Sequence, residues 1–268
     1  MLKYKFPKIV GILNVTPDSF SDGGKFLRYE DAISQSLKLL EDGADVIDIG
    51  GESTRPFAEQ IDEETEIERV VPVIKAIKEK APNALISIDT TKYEVAVEAV
   101  KFGAGMLNDI SGLTKDIRLA ELSARFDLPL VLMHIQGTPQ TMQINPEYKD
   151  DVVAEIIEFL KNQIELAKSY GVKQIIADPG IGFGKTFEHN IDILKRIDEF
   201  ETLKVPIYLG FSRKTFIGKL FNLENPAERD VPTAFFHSLL LTQKVDYIRV
   251  HNVKLISMLK RVYEKINL

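Results

Sequence analysis

The sequence has no cysteine in its 268 residues. Disulfide frameworks, thiolate nucleophiles and cysteine-ligated zinc are therefore excluded. No His-x-x-x-His pair occurs, which removes the helical two-histidine zinc motif as well. No apolar stretch is long enough to cross a bilayer. The first residues, Met1-Leu2-Lys3-Tyr4-Lys5-Phe6-Pro7, lack the apolar run of a secretory leader, so a cytoplasmic location is expected. Positive charge is in deficit, 34 Lys+Arg against 40 Asp+Glu for a formal net charge of -6. That argues against a nucleic-acid partner, which calls for a basic face. No low-complexity segment and no Pro/Ser-rich linker divides the chain, and a single domain over residues 1–268 is expected. With 44% hydrophobic and 28% charged residues, the composition is that of a globular protein with ample material for a core.

Short apolar, β-branched runs recur along the chain, each followed by polar residues and then by a helical pattern. The runs are Ile9–Leu13, Val46–Ile49, Leu85–Ile88, Met106–Leu107, Leu130–Met133, Ile175–Ala177, Ile207–Leu209 and Tyr247–Val250. Near-continuous apolar strands are the mark of a parallel sheet covered on both faces. Helices are expected over Ala32–Leu40, after the acidic pair Glu30-Asp31, and over Glu63–Lys80. Val153, Ile157, Leu160, Ile164 and Ala167 repeat at helical spacing, and a last helix is expected from about Lys254 to Lys265. Eight strands alternating with eight helices fit a (β/α)8 TIM barrel, and 268 residues divided by eight gives about 33 per unit, as such barrels have. A doubly wound sheet shows the same alternation and is the competing architecture.

Every expected strand delivers polar groups at its C-terminal end: Asn14; Glu52, Thr54 and Arg55; Asp89; Asn108 and Asp109; His134; Asp178; Ser212, Arg213 and Lys214; Arg249 and His251. Singly, an Asp or Asn after a strand is often a helix N-cap. Asp31 and Asp150 are read that way, as caps or first-turn acids. His189 and His237 are read as surface or packing residues, and Phe235-Phe236 with Leu239–Leu241 as core or subunit interface. Collectively the strand ends ask for more. In a barrel they converge on one mouth, where such folds place their active sites, and gathering so many charges is unfavourable unless a ligand or mutual pairing compensates.

Gly180-Ile181-Gly182-Phe183-Gly184-Lys185-Thr186 looks like a phosphate loop, but the position that must be the first glycine is Pro179. Gly210-Phe211-Ser212 begins like a nucleophile elbow, whose closing glycine is here Lys214. Arg55, Lys214, Arg249 and His251 suit an anionic group, with guanidinium favouring phosphate. Asn14 and nearby acids suit Mg²⁺ shared with phosphate oxygens. Asp89, Asn108 and Asp178 are planar acceptors that match the edge of a nitrogen heterocycle, with Phe183 and the side of Arg249 to cover its face. The residues together indicate a phosphate-bearing heterocycle as ligand.

Gly11-Ile12-Leu13-Asn14-Val15-Thr16-Pro17-Asp18-Ser19-Phe20-Ser21-Asp22-Gly23-Gly24 and Asp48-Ile49-Gly50-Gly51-Glu52-Ser53-Thr54-Arg55-Pro56 strongly resemble the first and second signatures of the dihydropteroate synthase family. Ser87–Thr90, Asn108–Gly112, Met133-His134, Asp178–Lys185, Ser212–Lys214 and Arg249–His251 follow in the family's order, so the resemblance covers nearly the whole chain. It implies a folate-biosynthesis transferase that joins 6-hydroxymethyl-7,8-dihydropterin diphosphate to 4-aminobenzoate and releases pyrophosphate, with sulfonamides competing for the 4-aminobenzoate site. By motif position it implies pterin binding by Asp89, Asn108, Met133, Asp178, Phe183, Lys214 and Arg249. Asn14, Thr54, Arg249 and His251 would serve the pyrophosphate, Asn14 through Mg²⁺. Phe20, Ser21, Thr54, Arg55, Pro56, Ser212, Lys214 and Thr215 would form the aminobenzoate pocket. Asp22, Asp178, Lys214 and Arg249 would carry the chemistry, and a homodimer is implied.

The chain departs from the family pattern in three places. Phe57 follows Arg55-Pro56 where a small residue is usual, Phe235-Phe236-His237 replaces small residues, and Asn252 follows His251 where Asp is frequent. Two other readings compete. A pterin-binding methyltransferase barrel shares the acceptors but has no need of Thr54-Arg55-Pro56 or Ser212-Arg213-Lys214. A catalytically silent binding barrel requires broken site residues, and none is broken here.

Overall fold

The structure is a computed structural model and describes residues 4–16, 25–55 and 58–267. The strands are β1 (Lys8–Asn14), β2 (Val46–Gly50), β3 (Ile86–Asp89), β4 (Met106–Asp109), β5 (Leu130–Met133), β6 (Ile175–Asp178), β7 (Tyr208–Leu209) and β8 (Tyr247–Val250). The helices are α1 (Lys25–Glu41), α2 (Glu63–Lys80), α3 (Tyr93–Lys101), α4 (Arg118–Phe126), α5 (Val152–Ser169), α6 (Phe187–Lys195), α7 (Thr215–Phe221), α8 (Asp230–Leu240) and α9 (Val253–Asn267). All strands pair in parallel, in the order β6-β5-β4-β3-β2-β1-β8-β7. A single parallel bridge, Ala177 with Ile207, joins β6 to the residue before β7 and closes the ring. This is the expected (β/α)8 barrel.

The register fixes which side chains face inward. Val10 pairs with Val46, Ile12 with Asp48 and Asn14 with Gly50. Asp48 pairs with Ser87 and Gly50 with Asp89, Asp89 with Asn108, Asn108 with Val131, Met133 with Asp178 and Val10 with Arg249. Partners across a parallel ladder share a face, and faces alternate along each strand. Val10, Val46, Met106, Val131, Ile176 and Tyr208 therefore meet in one buried cluster inside the barrel. The polar set Asp48, Asp89, Asn108, Asp178 and Arg249 lies two residues further along the same inward faces. The alternate residues, among them Ile9, Leu13, Ile47, Ile49, Ile86, Ile88, Leu130 and Leu132, face outward and form the large core under the helices. Two-sided burial explains why the strands read as unbroken apolar runs.

Several boundaries differ from the sequence reading. Four strands, β1, β3, β4 and β6, extend into the polar residues that the hydrophobic pattern placed beyond them, and β2 extends by Gly50, because backbone pairing continues where side-chain character changes. β3 starts at Ile86, leaving Leu85 outside it and exposed. α1 begins at Lys25, since its buried stripe reaches back to Tyr29, which packs on the core and donates to the Pro72 carbonyl at 3.1 Å. Asp31 is consequently an exposed residue within the helix and not a cap. Asp151, not Asp150, caps α5, accepting from Val153 N at 2.9 Å. Instead of eight helices, nine appear among the described residues, because α7 and α8 both fall between β7 and β8. Pro72 lies inside α2, which spans Glu63–Lys80 as expected. Pro232 sits in the first turn of α8, where its missing N–H has no intrahelical partner to lose.

Candidate active site

Arg249 is the hub of the barrel mouth. Its Nε donates to Asp48 Oδ2 at 2.6 Å and its Nη2 to Asp89 Oδ2 at 2.8 Å. Its other three N–H donors have no partner among the described residues. Asn108 Nδ2 donates to the same Asp48 oxygen at 3.0 Å. β2, β3, β4 and β8 thus place four polar side chains in one network, and mutual pairing offsets their desolvation. Asp178 stands across the mouth at the end of β6, its Oδ1 accepting from Gly180 N at 2.7 Å. Met133, Met142 and Phe183 form a separate apolar cluster with Ile110 and Ile135, which gives the mouth one apolar wall. Lys214, half-buried, holds its Nζ 3.6 Å from the centre of the Phe183 ring. Phe183 therefore offers its face to Lys214 in this state. Gly182, at φ +83°, makes room for the lysine stem, since a Cβ there would stand 2.9 Å from Lys214 Cδ.

Burial dominates the electrostatics. It pushes Asp178 up to about 6 against the pull of Gly180 N–H, Lys214, Lys185 and Arg249. It pushes Asp89 up to about 7, with Arg249 opposing and Asp48 adding to the rise. Burial brings Lys214 down to about 7, helped by the neighbouring Arg249. For Arg249 burial opposes the charge, but Asp48 and Asp89 hold its guanidinium well above the ordinary value. The mouth therefore carries carboxyl and ammonium groups that exchange protons near neutrality, as groups poised for ligands do.

The remaining expected site residues divide. Asn14 ends β1 beside Gly50; a Cβ at Gly50 would stand in ordinary contact with both Asn14 Oδ1, at 3.8 Å, and Asp89 Oδ2, at 3.7 Å, so the two oxygens flank the glycine. Thr54 and Asp89 line one cavity of about 90 Å³, together with Thr90, Ile110 and Ile135. Ser212 and His251 meet directly, Ser212 Oγ lying 3.0 Å from His251 Nδ1 and accepting from His251 N at 3.2 Å. Burial and the cations Arg213 and Arg249 push His251 down to about 3, so it is neutral at pH 7 and leaves the set of cations proposed from sequence. Arg55 and Thr215 are exposed. Phe20, Ser21, Asp22, Pro56 and Phe57 lie outside the described residues. Arg213 is turned away to a bidentate pair with Asp230 at 2.6 and 2.8 Å. Asp109 is a turn residue, accepting from Ser111 N, Ser111 Oγ and Leu113 N. His189 shares a capping box with Thr186, and buried His237 stacks on Phe211 at 4.2 Å, so both histidines are packing residues.

Sequence reasoning gave no role to Asp48. Its signal was present: a carboxylate interrupting the apolar run Val46–Ile49, two residues before Gly50 and therefore on the inward face.

The sequence pattern described as pterin-binding enzyme matches residues 10–251. Dihydropteroate synthase of a Synechocystis species is 44% identical over 256 residues, covering 95% of this chain and 88% of the relative. The chain belongs to the dihydropteroate synthase family. Solved structures of that family superpose closely. A dihydropteroate synthase of Clostridium difficile, crystallised in the presence of pteroic acid, is 44% identical with TM-score 0.91, covering 99% of each chain. That of Xanthomonas albilineans with 4-aminobenzoic acid is 38% identical with TM-score 0.90, covering 97% of this chain and 93% of the other. Dihydropteroate synthases are transferases of folate synthesis, and the barrel mouth described above is where this family member holds its strand-end residues.

Proposed function

We propose that this mouth condenses 6-hydroxymethyl-7,8-dihydropterin diphosphate with 4-aminobenzoate, giving 7,8-dihydropteroate and pyrophosphate. The observation that carries the reading is the convergence of Asp89, Asn108, Asp178, Lys214 and Arg249, from five strands or strand ends, beside the apolar wall of Met133 and Phe183. Asp178 and Asn108 read the polar edge of the pterin, Asp89 joins them, and Phe183, Met133 and Lys214 bound its face. The free donors of Arg249, with Asn14, Thr54 and neutral His251, receive the diphosphate. Its departure breaks the bond from the exocyclic carbon to oxygen and leaves that carbon positive, conjugated to the ring. Asp178, bonded to the ring, stabilises the spread charge, and Asp22 adds a second negative charge. The amine lone pair of 4-aminobenzoate then forms the new carbon–nitrogen bond, and the displaced amine proton leaves with pyrophosphate or solvent. An arylamine needs no strong base, so positioning and exclusion of water supply the acceleration. Phe20, Ser21, Thr54, Arg55, Pro56, Ser212, Lys214 and Thr215 form the aminobenzoate pocket.

Among the described residues no cluster of three His, Cys, Asp or Glu is built for a metal. Asn14 Oδ1, a hard oxygen donor at the end of β1 facing Asp89 Oδ2 across Gly50, would hold Mg²⁺ together with diphosphate oxygens and water. When bound, Mg²⁺ neutralises charge on the departing diphosphate.

The whole chain is read as one domain and as a cytoplasmic protein; no helix among the described residues is long and apolar enough to cross a membrane. It is also read as a homodimer. Val231, Phe235 and Leu239 on α8, and Met258, Val262 and Ile266 on α9, recur every four residues and are each 50–72% exposed. Two adjacent stripes of this kind exceed the scattered apolar exposure of a monomer.

Release of pyrophosphate measured with each substrate alone and with both tests the activity. Release that depends on 4-aminobenzoate and is inhibited by a sulfonamide competing with it is expected. Methyl transfer to a corrinoid protein without pyrophosphate release, or pterin binding without turnover, would overturn it.

A further inference from the structure

Lys185 closes the glycine-rich segment that imitates a phosphate loop, yet its side chain is buried against His134 and the Phe183 carbonyl. It is 3% exposed, with Nζ 3.1 Å from His134 Nδ1 and donating to the Phe183 carbonyl at 3.0 Å. Both partners are neutral: burial, helped by Lys185 itself, pushes His134 down to about 2. Burial brings Lys185 down to about 7, the charge of Asp178 opposing and that of Lys214 helping, and no carboxylate of the described residues bonds Nζ. A buried lysine amino group without a bonded carboxylate is unfavourable in either protonation state, and packing alone would be met by an apolar side chain.

The segment it closes is the one that shapes the pocket. Gly180, Gly182 and Gly184 all have positive φ, and a Cβ on Gly180 would stand 1.8 Å from the His134 carbonyl oxygen. Phe183 N donates to the Gly180 carbonyl at 3.0 Å, and Gly180 N donates to Asp178 Oδ1. His134 N donates to the Asp178 carbonyl at 3.0 Å. The contacts at Lys185 Nζ therefore link the end of β5 to the carbonyl of the residue whose ring forms the pocket wall, while Gln143, Asn190 and Tyr148 hold the backbone of Gly182 and Gly184.

We propose that Lys185 is a positioning residue for the pterin pocket: its amino group, held by His134 and bonded to the Phe183 carbonyl, fixes residues 178–185 so that the Phe183 ring forms the wall and Asp178 faces the pterin. The assignment rests on the pterin site proposed above. Lys185 acts through the segment that carries Asp178 and Phe183, so its loss acts on the pterin diphosphate selectively. In Lys185→Met, loss of these bonds raises KM for the pterin diphosphate about tenfold and leaves KM for 4-aminobenzoate within about twofold. Lys185→Gln, which retains a neutral donor, recovers part of that loss. His134→Leu, which keeps the lysine and removes its other partner, shifts the same KM in the same direction by less, and it tests the proposal where Lys185→Met folds poorly. Steady-state kinetics for both substrates, with melting temperatures of each variant, read these outcomes. A folded Lys185→Met with unchanged KM for the pterin diphosphate, or an equal rise in both KM values, overturns the proposal. Asp178→Asn measured alongside separates the two levels: normal pterin affinity in that variant sinks the site itself, whereas normal affinity in Lys185→Met alone sinks only the role of the lysine.

Discussion

Asp178 shows what burial does to a single side chain. Its carboxyl titrates near 6 in the folded protein against an ordinary value of 3.8. The folded state thus holds this proton more tightly than the unfolded chain, so the contribution to stability is complete below about pH 4 and is lost as pH rises through about 6. Asparagine does not titrate. Asp178→Asn therefore gains stability relative to the parent protein between about pH 4 and 7, by about 2–3 kcal/mol when complete. Urea unfolding of both proteins at about pH 5 and about pH 7.5 measures the gain, and an unchanging difference contradicts it. At this scale the sequence revealed identity better than state. Asp89, Asn108, Asp178, Lys214 and Arg249 were legible because each ends or follows a strand. Asp48 was not, because its role depends on a partner 201 positions away. The neutrality of His251 was hidden for the same reason, since Arg213, Arg249 and burial act only once the chain has folded.

Between strands and helices, the legible part was the alternation and the least legible part the ends. Leu130–Met133 and Tyr247–Val250 match the expected runs because apolar pattern and backbone pairing stop together. β7 shrinks to Tyr208–Leu209 because Ile207 forms only the lone bridge with Ala177: its N–H goes to a side chain, Asp246 Oδ2 at 2.8 Å, while its carbonyl accepts from Asp246 N and Tyr247 N. The turn after β6 is where local conformation is most demanding. Gly180 has φ +68°, and an added Cβ would stand 1.8 Å from the backbone oxygen of His134. Backbone cannot yield as a flexible side chain does, so Gly180→Ala loses at least about 3 kcal/mol of stability, both left-handed strain and steric overlap contributing. Thermal unfolding measures this, and a melting temperature equal to that of the parent protein contradicts it. Gly11→Ala provides a contrast: its φ is not positive, and its Cβ would meet only side-chain atoms at 3.2–3.4 Å. Its loss should therefore be the smaller of the two.

The whole molecule is a ring with one thin seam and one apolar flank. A single bridge between Ala177 and Ile207 closes the barrel, backed by the bond from Ala177 N to the Pro206 carbonyl at 2.9 Å. The connection across the seam, from β6 to β7, carries α6, and the doubled connection of α7 and α8 that simple alternation did not foresee follows β7. The flank is the exposed face of α8 and α9. Phe235→Glu with Leu239→Glu places two charges on the proposed dimer surface, and sedimentation velocity should show the dimer shifting to monomer with the fold retained. A parent protein that is monomeric at micromolar concentration contradicts the dimer. Everything at the barrel mouth meets in one experiment, calorimetric titration of the pterin diphosphate into the parent protein and into Asp178→Asn. The parent protein should bind it and the variant should show no measurable binding; near-equal affinities would mean that the flat ring is not held at the end of β6.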